Sequence, residues 1–399
     1  MNRLTRQQAE QLSREIQGRL VLPGDPDYDA VRQVWNGMID RRPAVVVQCA
    51  AAGDVPPAIA FARKHRLDIS MRGAGHHIAG NAICDGGLVI DFSRMKRVHV
   101  DPGNRHALVE PGATLADFDA AAQRHGLATP VGINSTTGIA GLTLGGGFGW
   151  LTRKHGMTID NLVRAHIVTA EGQAITTSES EHPDLFWAVR GGGGNFGVVT
   201  QFDFALHPVG PEVVAGLVVF PLSEAGSVLR KYRDFAKSAP DELSVWAVMR
   251  HAPPLPFLPA EVHGKPALVL AVCYAGDPAL ADRLLGPLRG FGKTWGEHIG
   301  PVPYAQWQQA FDPLLTPGAR NYWKSHNFAA LPDAALDVLR GCAERIPGPE
   351  CEVFIGQLGG AASRVRPDAT AYGHRDAQFV MNVHARWQDA AKDDVHIAW

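Results

Sequence analysis

Glycine and histidine are the residues whose spacing points most clearly to chemistry in this 399-residue sequence. Residues 71–81 place glycines at 73, 75 and 80 around the pair His76 and His77. Glycine permits turns with positive φ and close backbone approach to a ligand, and successive N–H groups of such turns bind phosphate. Arg72 adds a permanent charge that suits phosphate. The stretch predicts an anion-binding loop, with an ordinary strand-to-loop turn as the alternative.

A second glycine-rich segment, residues 134–149, is rich in hydroxyl and amide side chains and has no charged residue. Such a loop can surround a planar ligand with backbone donors and hydroxyl groups without repelling its phosphates. A flexible linker is the alternative, but linkers do not usually interleave apolar residues such as Ile139, Leu142 and Phe148. The segment therefore predicts a second ligand-binding loop.

A third segment, residues 191–197, contains Gly192, Gly194 and Gly197 in the G-x-G-x-x-G spacing of a dinucleotide fingerprint. That fingerprint follows a strand and opens a helix. Here a predicted helix, 183–190, comes before the glycines, and an alternating strand, 198–204, comes after them. The reversed order argues against a nicotinamide-binding domain.

Together the three segments resemble the signature of the berberine bridge enzyme-like FAD-linked oxidases, within the vanillyl-alcohol oxidase superfamily, over about residues 10–390. The resemblance implies FAD joined through its 8α-methyl group to His76. Many relatives add a cysteine bond to the flavin, but Asn134 occupies that position, which implies a single covalent bond. The cofactor-binding residues that the resemblance implies are His76, Arg72, Gly73, Ala74, Gly75, His77, Gly80, Asn81, Thr136, Thr137, Gly138, Gly141, Leu142, Gly145, Gly147, Asn161, Gly197 and Val199.

The elements that must position these loops predict an α+β fold. Residues 44–49 and 67–71 read as strands joined by a helix, which makes a β-α-β unit, and 98–100 pairs with 106–110 as an antiparallel hairpin. The resemblance implies a two-part FAD-binding α/β domain of the vanillyl-alcohol oxidase type. We place it at 1–208, with subdomains 1–100 and 101–208.

Residues 209–399 predict a substrate domain, which begins after the turn-rich segment 207–211. Helices near 223–236, 278–288 and 332–344 alternate with strands, as is typical of an antiparallel sheet covered by helices on one face. The predicted strands are 214–220, 243–248, 267–272, 324–328 and 379–384.

Candidate catalytic residues lie on the last two of these strands or within two residues of them. Asn382, His384 and Arg386 alternate and so share one face, and Asn382 stands near the point where some relatives carry an acidic base. His384 is a candidate base because imidazole titrates near neutral pH, although a structural polar pair remains the alternative. Tyr322 completes the candidate set, with Trp323 beside it as a pocket residue.

The resemblance implies an oxidase of a small organic alcohol, amine or sugar. Hydride would pass to the flavin while a base takes a proton from the substrate, and molecular oxygen would accept the electrons. A Tyr-x-Asn element of the family has no counterpart in residues 370–399, so we expect a chain shortened at its C-terminus. The alternatives are a non-catalytic flavin-binding remnant and a dehydrogenase that passes electrons to a carrier.

Composition excludes other classes of protein. A net charge of -2, from 38 basic and 40 acidic residues, gives no broad positive field for nucleic acid. The sequence has no apolar run of membrane-spanning length and no signal-peptide core, so we expect a cytoplasmic monomer or homodimer. Five cysteines without a C-x-x-C pair predict buried thiols and no metal site.

Overall fold

The N-terminal half of the chain forms the sheets that carry the three glycine-rich segments. The computed structural model describes residues 4–399. The strands of this half are β1 (Arg19–Val21), β2 (Val45–Gln48), β3 (Ile69–Arg72), β4 (Leu88–Asp91), β5 (Val98–Asp101), β6 (His106–Val109), β7 (Leu127–Ala128), β8 (Leu162–Val168), β9 (Ala174–Ser178), β10 (Val198–Ala205) and β11 (His207–Pro208).

The helices are distributed over both halves of the chain. Within residues 4–399 no helix is both long enough and apolar enough to cross a membrane. The helices are α1 (Arg6–Ser13), α2 (Tyr28–Arg32), α3 (Val55–His65), α4 (Leu115–Gln123), α5 (Ile139–Leu144), α6 (Thr152–His155), α7 (Pro183–Val189), α8 (Ala225–Ala236), α9 (Ala281–Arg289), α10 (Tyr304–Trp307), α11 (Asp333–Ala343), α12 (Ala361–Arg364) and α13 (Asp393–Ala398).

The first sheet has the strand order β1-β2-β4-β3. The first glycine loop begins at the end of its edge strand β3. Strands β2 and β3 both run parallel to β4. Helix α3 connects β2 to β3, which confirms the predicted β-α-β unit. All four residues of β2 and of β4 are buried, as expected of apolar strands covered on both faces. Parallel pairing brings the ends of β3 and β4, and hence Arg72 and Asp91, side by side.

The second sheet is antiparallel with the order β5-β6-β10-β8-β9. The predicted hairpin of β5 and β6 is confirmed, and α7 precedes the third glycine segment while β10 follows it. Helix α4 begins after Thr114, whose side chain accepts a hydrogen bond from the Asp117 amide and so caps the helix. The third segment therefore follows a helix and precedes a strand, which is the reverse of the order in a dinucleotide fingerprint.

The C-terminal half forms one antiparallel sheet of seven strands in the order β15-β12-β14-β13-β17-β18-β16. All five predicted strands are present, but the sequence patterns missed β15 and β17. Strand β15 lies at an edge of the sheet, where its prolines are tolerated. The strands are β12 (Glu212–Pro221), β13 (Leu243–His251), β14 (Pro266–Tyr274), β15 (Gly296–Pro303), β16 (Arg320–Phe328), β17 (Glu352–Gln357) and β18 (Phe379–Trp387).

The two faces of this sheet have different partners. Helices α8, α9 and α11 cover one face through an apolar core that includes Tyr232 and Leu285. On the other face, Trp246 and Phe354 pack with Trp150 from the N-terminal half. The α+β fold with a helix-covered antiparallel sheet is thus confirmed, while the domain boundary at 208/209 stays a proposal.

Candidate active site

The first glycine loop starts at the end of β3 and keeps its backbone donors free. The N–H groups of residues 73–79 donate to no protein acceptor within the described chain. Gly75 and Gly80 each have a φ of +74°, a conformation that disfavours other residues. A run of unpaired amides in such turns forms a concave site for anions. The loop therefore retains the donors that the sequence predicted for phosphate.

Arg72 does not add a free charge to this loop. Its guanidinium is buried, with Nη2 2.8 Å from Asp91 Oδ2 and Nε 3.1 Å from Asp91 Oδ1, and Nη1 donates to the Val31 and Gln33 carbonyls. Although burial opposes ionisation, Arg72 lowers the pKa of the Asp91 carboxyl below its ordinary value. The side chain anchors the base of the loop, so a ligand would meet the backbone here and not the cation.

The three glycine segments converge in space. A Cβ atom added to Gly138 would lie 2.7 Å from the Ala74 nitrogen, which leaves room only for glycine where the second segment crosses the first. The Gly193 amide donates to the Leu144 carbonyl at 2.9 Å, which joins the third segment to the second. The predicted convergence is therefore present in the fold.

His76 projects from the first loop to the second. Its Nε2 lies 2.8 Å from Thr136 Oγ1, and its Nδ1 lies 3.5 Å from Thr137 Oγ1. The Trp35 ring stacks on the imidazole with a centroid separation of 4.9 Å. Burial lowers the pKa of His76 to about 4, so the ring is neutral at physiological pH.

Several predicted cofactor-binding residues have packing roles in the structure. An added Cβ would meet Ile39 at Gly80, Thr158 at Gly147 and Ile167 at Gly197, each closer than 3.0 Å. The Val199 side chain lies in the core of the second sheet. The Asn161 amide donates to the His155 and Met157 carbonyls, and its oxygen lies 2.6 Å from His207 Nε2. The side chains of Asn161 and Val199 therefore have internal partners.

The other predicted positions are more open. A Cβ at Gly141 would meet nothing within 4 Å, and a Cβ at Gly145 only carbonyls of its own helix beyond 3.4 Å. Leu142 is half-buried. His77 and Asn81 are exposed, 3.5 Å apart between the His77 Nε2 and Asn81 Nδ2 atoms. The backbone of Gly141 in particular is open to a ligand, because no protein atom outside its own helix lies close to the position of an added Cβ.

The candidate catalytic residues separate between the two faces of the large sheet. His384 pairs with Trp323 of β16, and Asn382 pairs with Ser325, so these side chains share the face opposite the helices. Tyr322 pairs with Ala385 and packs with Trp387 on the other face. The prediction that Tyr322 joins Asn382 and His384 is wrong, because neighbouring residues of a strand point to opposite faces.

His384 is held by a carboxylate that the sequence analysis missed. Its Nδ1 lies 2.9 Å from Glu352 Oε1, and Arg250 Nη1 lies 2.8 Å from Glu352 Oε2. Burial would raise the pKa of Glu352, but Arg250, the His384 hydrogen bond and Arg386 outweigh it and hold the pKa at about 2. An ionised carboxylate only accepts hydrogen bonds, so Nδ1 of His384 donates to Glu352, and in the neutral ring the lone pair lies on Nε2.

The second ring nitrogen of His384, Nε2, is partly exposed and unpaired within the described chain. Within the described residues Nε2 has no hydrogen-bond partner, and it is not among the fully buried atoms that lack one. Asn382 on the same face has a buried side-chain oxygen without a partner. The face therefore offers the unpartnered Nε2 atom of His384 and one unsatisfied carbonyl group to a bound molecule.

Aromatic rings connect His384 to His76. Trp323 stacks on His384 at 4.2 Å between ring centroids, and Trp35 meets Trp323 edge to face at 5.6 Å. Because Trp35 also stacks on His76, the two histidines flank one aromatic region. Trp35 lies in a loop without a motif, and Glu352 lies on the unpredicted strand β17, so neither gave a sequence signal.

The segment after α10 fastens the second loop to the large sheet. The Asp312 carboxylate accepts from the Ser135 amide at 2.9 Å, and the Leu315 carbonyl accepts from Trp35 Nε1 at 3.2 Å and from Asn134 Nδ2 at 3.4 Å. These contacts bring the loops and the sheet face that carries His384 together from distant parts of the chain.

The loops fit a flavin dinucleotide. Free amides of residues 73–79 suit its diphosphate, the Thr136 and Thr137 hydroxyls supply neutral polar contacts, and neither residues 73–81 nor 134–149 contain an acidic side chain to repel an anion. The residues of the first and second loops could therefore hold FAD without a free cation.

Comparisons with known proteins agree with this geometry. Residues 43–178 match the family described as FAD binding domain. The chain is 32% identical over 389 residues to (R)-6-hydroxynicotine oxidase of Paenarthrobacter nicotinovorans, covering 94% of this chain and 81% of the relative. The crystal structure of 6-hydroxy-D-nicotine oxidase from Arthrobacter nicotinovorans superposes with a TM-score of 0.82 at 29% identity, covering 96% and 86% of the two chains.

A moss protein shares the fold at lower identity. The structure of BBE-like 1 from Physcomitrella patens matches with a TM-score of 0.87 at 22% identity, covering 98% of this chain and 87% of that one. At this identity the match supports the architecture alone.

Proposed function

Because this chain belongs to the berberine bridge enzyme-like FAD-linked oxidases, we propose that it oxidises a small organic amine, alcohol or sugar on FAD covalently bound to His76, with molecular oxygen as the acceptor. An amine is the substrate class that we favour. The relative with 32% identity is named for oxidation of 6-hydroxynicotine, and the aromatic rings of Trp35 and Trp323 suit a substrate with an apolar ring.

The Glu352–His384 pair is the observation that carries the proposal. In this pair His384 donates from Nδ1 to Glu352 and leaves Nε2 without a partner among the described residues, on the sheet face that contacts His76 through Trp323 and Trp35. Removal of hydride from an alcohol, or from a primary or secondary amine, gives a carbonyl group or a neutral imine only if the O–H or N–H proton is lost as well. A base with an open lone pair beside the flavin loops is the group that this reaction needs.

His384 Nε2 takes the substrate proton in this mechanism. Glu352 holds Nδ1–H and stabilises the positive charge that the imidazole then carries, and Arg250 keeps Glu352 ionised. The unsatisfied side-chain oxygen of Asn382 accepts a hydrogen bond from the substrate. FAD, when bound, accepts the hydride equivalent and transfers the electrons to oxygen. The aromatic side chains exclude water from the reacting region.

The neutral imidazole supports the covalent bond at His76. Only an unprotonated ring nitrogen has a lone pair for bond formation, and burial keeps the pKa of His76 at about 4. The side chain at position 134 is asparagine, which cannot form a thioether. A single attachment point follows.

The test has two readouts on the purified protein. Acid precipitation should leave the yellow colour in the pellet, and hydrogen peroxide should form with at least one compound from a panel that includes 6-hydroxynicotine, simple amines, alcohols and sugars. Colour in the supernatant would refute the covalent bond. A coloured pellet that forms no peroxide with the panel, while an artificial electron carrier is reduced, would refute oxygen as the acceptor.

A further inference from the structure

A short chain of hydrogen bonds runs from Asn134 to the ring of His76. The Asn134 Oδ1 atom accepts from the Thr136 amide at 3.0 Å and from the Thr136 hydroxyl at 2.6 Å. The same hydroxyl oxygen lies 2.8 Å from His76 Nε2. The hydroxyl of Thr136 therefore stands between a side-chain amide and the imidazole that we propose carries FAD.

The direction of each hydrogen bond in this chain follows from the donors. A backbone N–H can only donate, so the atom of Asn134 that faces the Thr136 amide is its oxygen, and the orientation of that side-chain amide is determined. A hydroxyl has one hydrogen, and the 2.6 Å contact of Thr136 Oγ1 with an acceptor-only oxygen requires it there. The Thr136 oxygen is left as an acceptor towards His76.

His76 Nε2 must then carry the proton of the neutral ring. Two acceptors 2.8 Å apart would repel each other, whereas Nε2–H donating to Thr136 gives a normal hydrogen bond. A neutral imidazole has one N–H, so Nδ1 keeps its lone pair. Among residues 4–399 the hydroxyl that approaches Nδ1 is that of Thr137, at the longer distance of 3.5 Å. Trp35 stacks on the ring and limits its rotation.

We propose that Asn134 and Thr136 are positioning residues that hold the proton of His76 on Nε2 and so select Nδ1 as the nitrogen that bonds to FAD. This inference rests on the covalent attachment in the proposed function. It gives Asn134 a role of its own: its oxygen orients the hydroxyl that orients the histidine. A cysteine at this position would lack that amide oxygen.

Bond formation balances with oxygen as the oxidant. His76 Nδ1 forms a bond to the 8α carbon, one C–H bond of the 8α-methyl group breaks, and that proton is released. The Nε2 proton is also released to solvent, so two protons and two electrons are removed in total. Molecular oxygen, the acceptor in the proposed function, takes both and becomes hydrogen peroxide. The linked protein therefore weighs two hydrogens less than the protein plus FAD.

The first test measures attachment in variants of the chain. Proteins without FAD are isolated from flavin-limited cells and incubated with added FAD, and the mass of the linked protein is followed by intact mass spectrometry. Asn134→Leu frees the Thr136 hydroxyl to donate to Nε2, which places the proton on Nδ1, and attachment should slow about tenfold or more. Thr136→Val should also slow it, and Thr136→Ser should restore it.

A matched control lies elsewhere in the same half of the chain. Thr176 Oγ1 is 3.2 Å from His166 Nδ1, so Thr176→Val removes a threonine–histidine hydrogen bond outside the loops. This variant should attach FAD at the wild-type rate. Equal rates in Asn134→Leu, Thr136→Val and the wild type would overturn the positioning role.

The second test reads the tautomer directly. Nitrogen-15 spectra of histidine-labelled protein, with His76 assigned by difference from His76→Gln, should show Nε2–H in the unlinked wild type and a shift towards Nδ1–H in Asn134→Leu. An Nδ1–H wild type would overturn the inference. This measurement also separates the positioning role from the proposed function. If FAD never becomes linked, the attachment at His76 is refuted, while the spectrum still reports on the hydrogen bonds from Asn134 through Thr136 to His76.

Discussion

Glu352 and His384 form a hydrogen bond in which the carboxylate stays ionised, because Arg250 lies on its other oxygen. The pair leaves His384 Nε2 as an open base. At the scale of single residues, each proposed role depends on where a proton sits: on Nδ1 of His384 and on Nε2 of His76. In both histidines a neighbouring acceptor decides the tautomer, a carboxylate in one and a hydroxyl in the other.

Replacement of the base should reduce turnover without removing the cofactor. We expect His384→Gln to lower kcat by about 10²- to 10⁴-fold, the usual contribution of a general base, and Glu352→Gln by about tenfold or more, with flavin content unchanged. Steady-state peroxide formation with the best substrate measures both. Tyr322→Phe serves as the control, since Tyr322 lies on the opposite face; a similar loss there would contradict this assignment.

Loss of His76 should leave FAD bound only non-covalently. His76→Ala removes the nitrogen that forms the bond, so acid precipitation should release the yellow colour into the supernatant. His77→Ala, which changes the neighbouring exposed ring, should keep the colour in the pellet. Retention of covalent flavin in His76→Ala would assign the attachment to another residue.

The three glycine segments act together at the scale of elements, since each supplies backbone where another backbone passes close by. Gly138 leaves room for the Ala74 nitrogen, and the Gly193 amide reaches the Leu144 carbonyl. Not every glycine in these segments has this role. Gly147 and Gly80 avoid collisions with protein side chains, so their replacement would disturb packing before it disturbed a ligand.

Gly141 separates ligand contact from packing. A Cβ at this position meets nothing within 4 Å of protein, so Gly141→Val should cost about 1 kcal/mol or less in stability yet weaken FAD binding, since the side chain extends into the open side of the loop. Titration of the unlinked protein with FAD, followed by flavin fluorescence, measures the change in Kd.

Gly286 provides the control for this substitution. It lies in α9, among the helices that cover the large sheet, and is equally free of neighbours. Gly286→Val should cost similar stability and leave the Kd for FAD unchanged. If both variants bind FAD as tightly as the wild type does, the open side of the second loop is not the cofactor side.

The whole molecule depends on contacts between its two halves. Gln308, just after α10, donates to the Gly132 carbonyl at 3.2 Å and to Asp119 Oδ2 of α4 at 3.1 Å. The other Asp119 oxygen is buried without a partner among the described residues. Burial raises the pKa of Asp119 from 3.8 to about 7, although the Gln308 hydrogen bond opposes the shift. The interface therefore contains a carboxyl group that is protonated under mildly acidic conditions.

This group makes stability depend on pH. Between about pH 4 and 7 the folded protein keeps a proton that the unfolded chain has released, so the stabilisation present below pH 4 is lost as pH rises, by about 1.4 kcal/mol per pH unit at most. Asp119→Asn lacks this loss. The difference in Tm between Asp119→Asn and the wild type should therefore grow in favour of the variant from pH 4.5 to pH 7.5, as measured by calorimetry.

A constant difference between the two proteins across this range would show that Asp119 is ionised in the folded state. Asp117→Asn is the matched control on the same helix. Asp117 accepts hydrogen bonds from Thr114 at the start of α4, so its substitution removes a carboxyl group from this helix outside the contact with Gln308.

The family, the class of fold and the use of FAD could be predicted from the sequence, because glycine spacing and apolar periodicity are local properties. Loop 71–81 follows a strand, and residues 191–197 lie between a helix and a strand, so their order alone distinguished this chain from a nicotinamide-binding domain. The predicted strands of the large sheet followed from alternation in the same way.

Only the tertiary structure decided which side chains meet. Arg72 is paired with Asp91 because parallel strands end together, Tyr322 faces away from His384 because strand residues alternate, and Glu352 reaches His384 from β17, which the patterns did not reveal. Asn134, Thr136 and His76 form their hydrogen bonds only when two distant loops cross. Such contacts depend on register and chain crossing, and no local pattern encodes either of these.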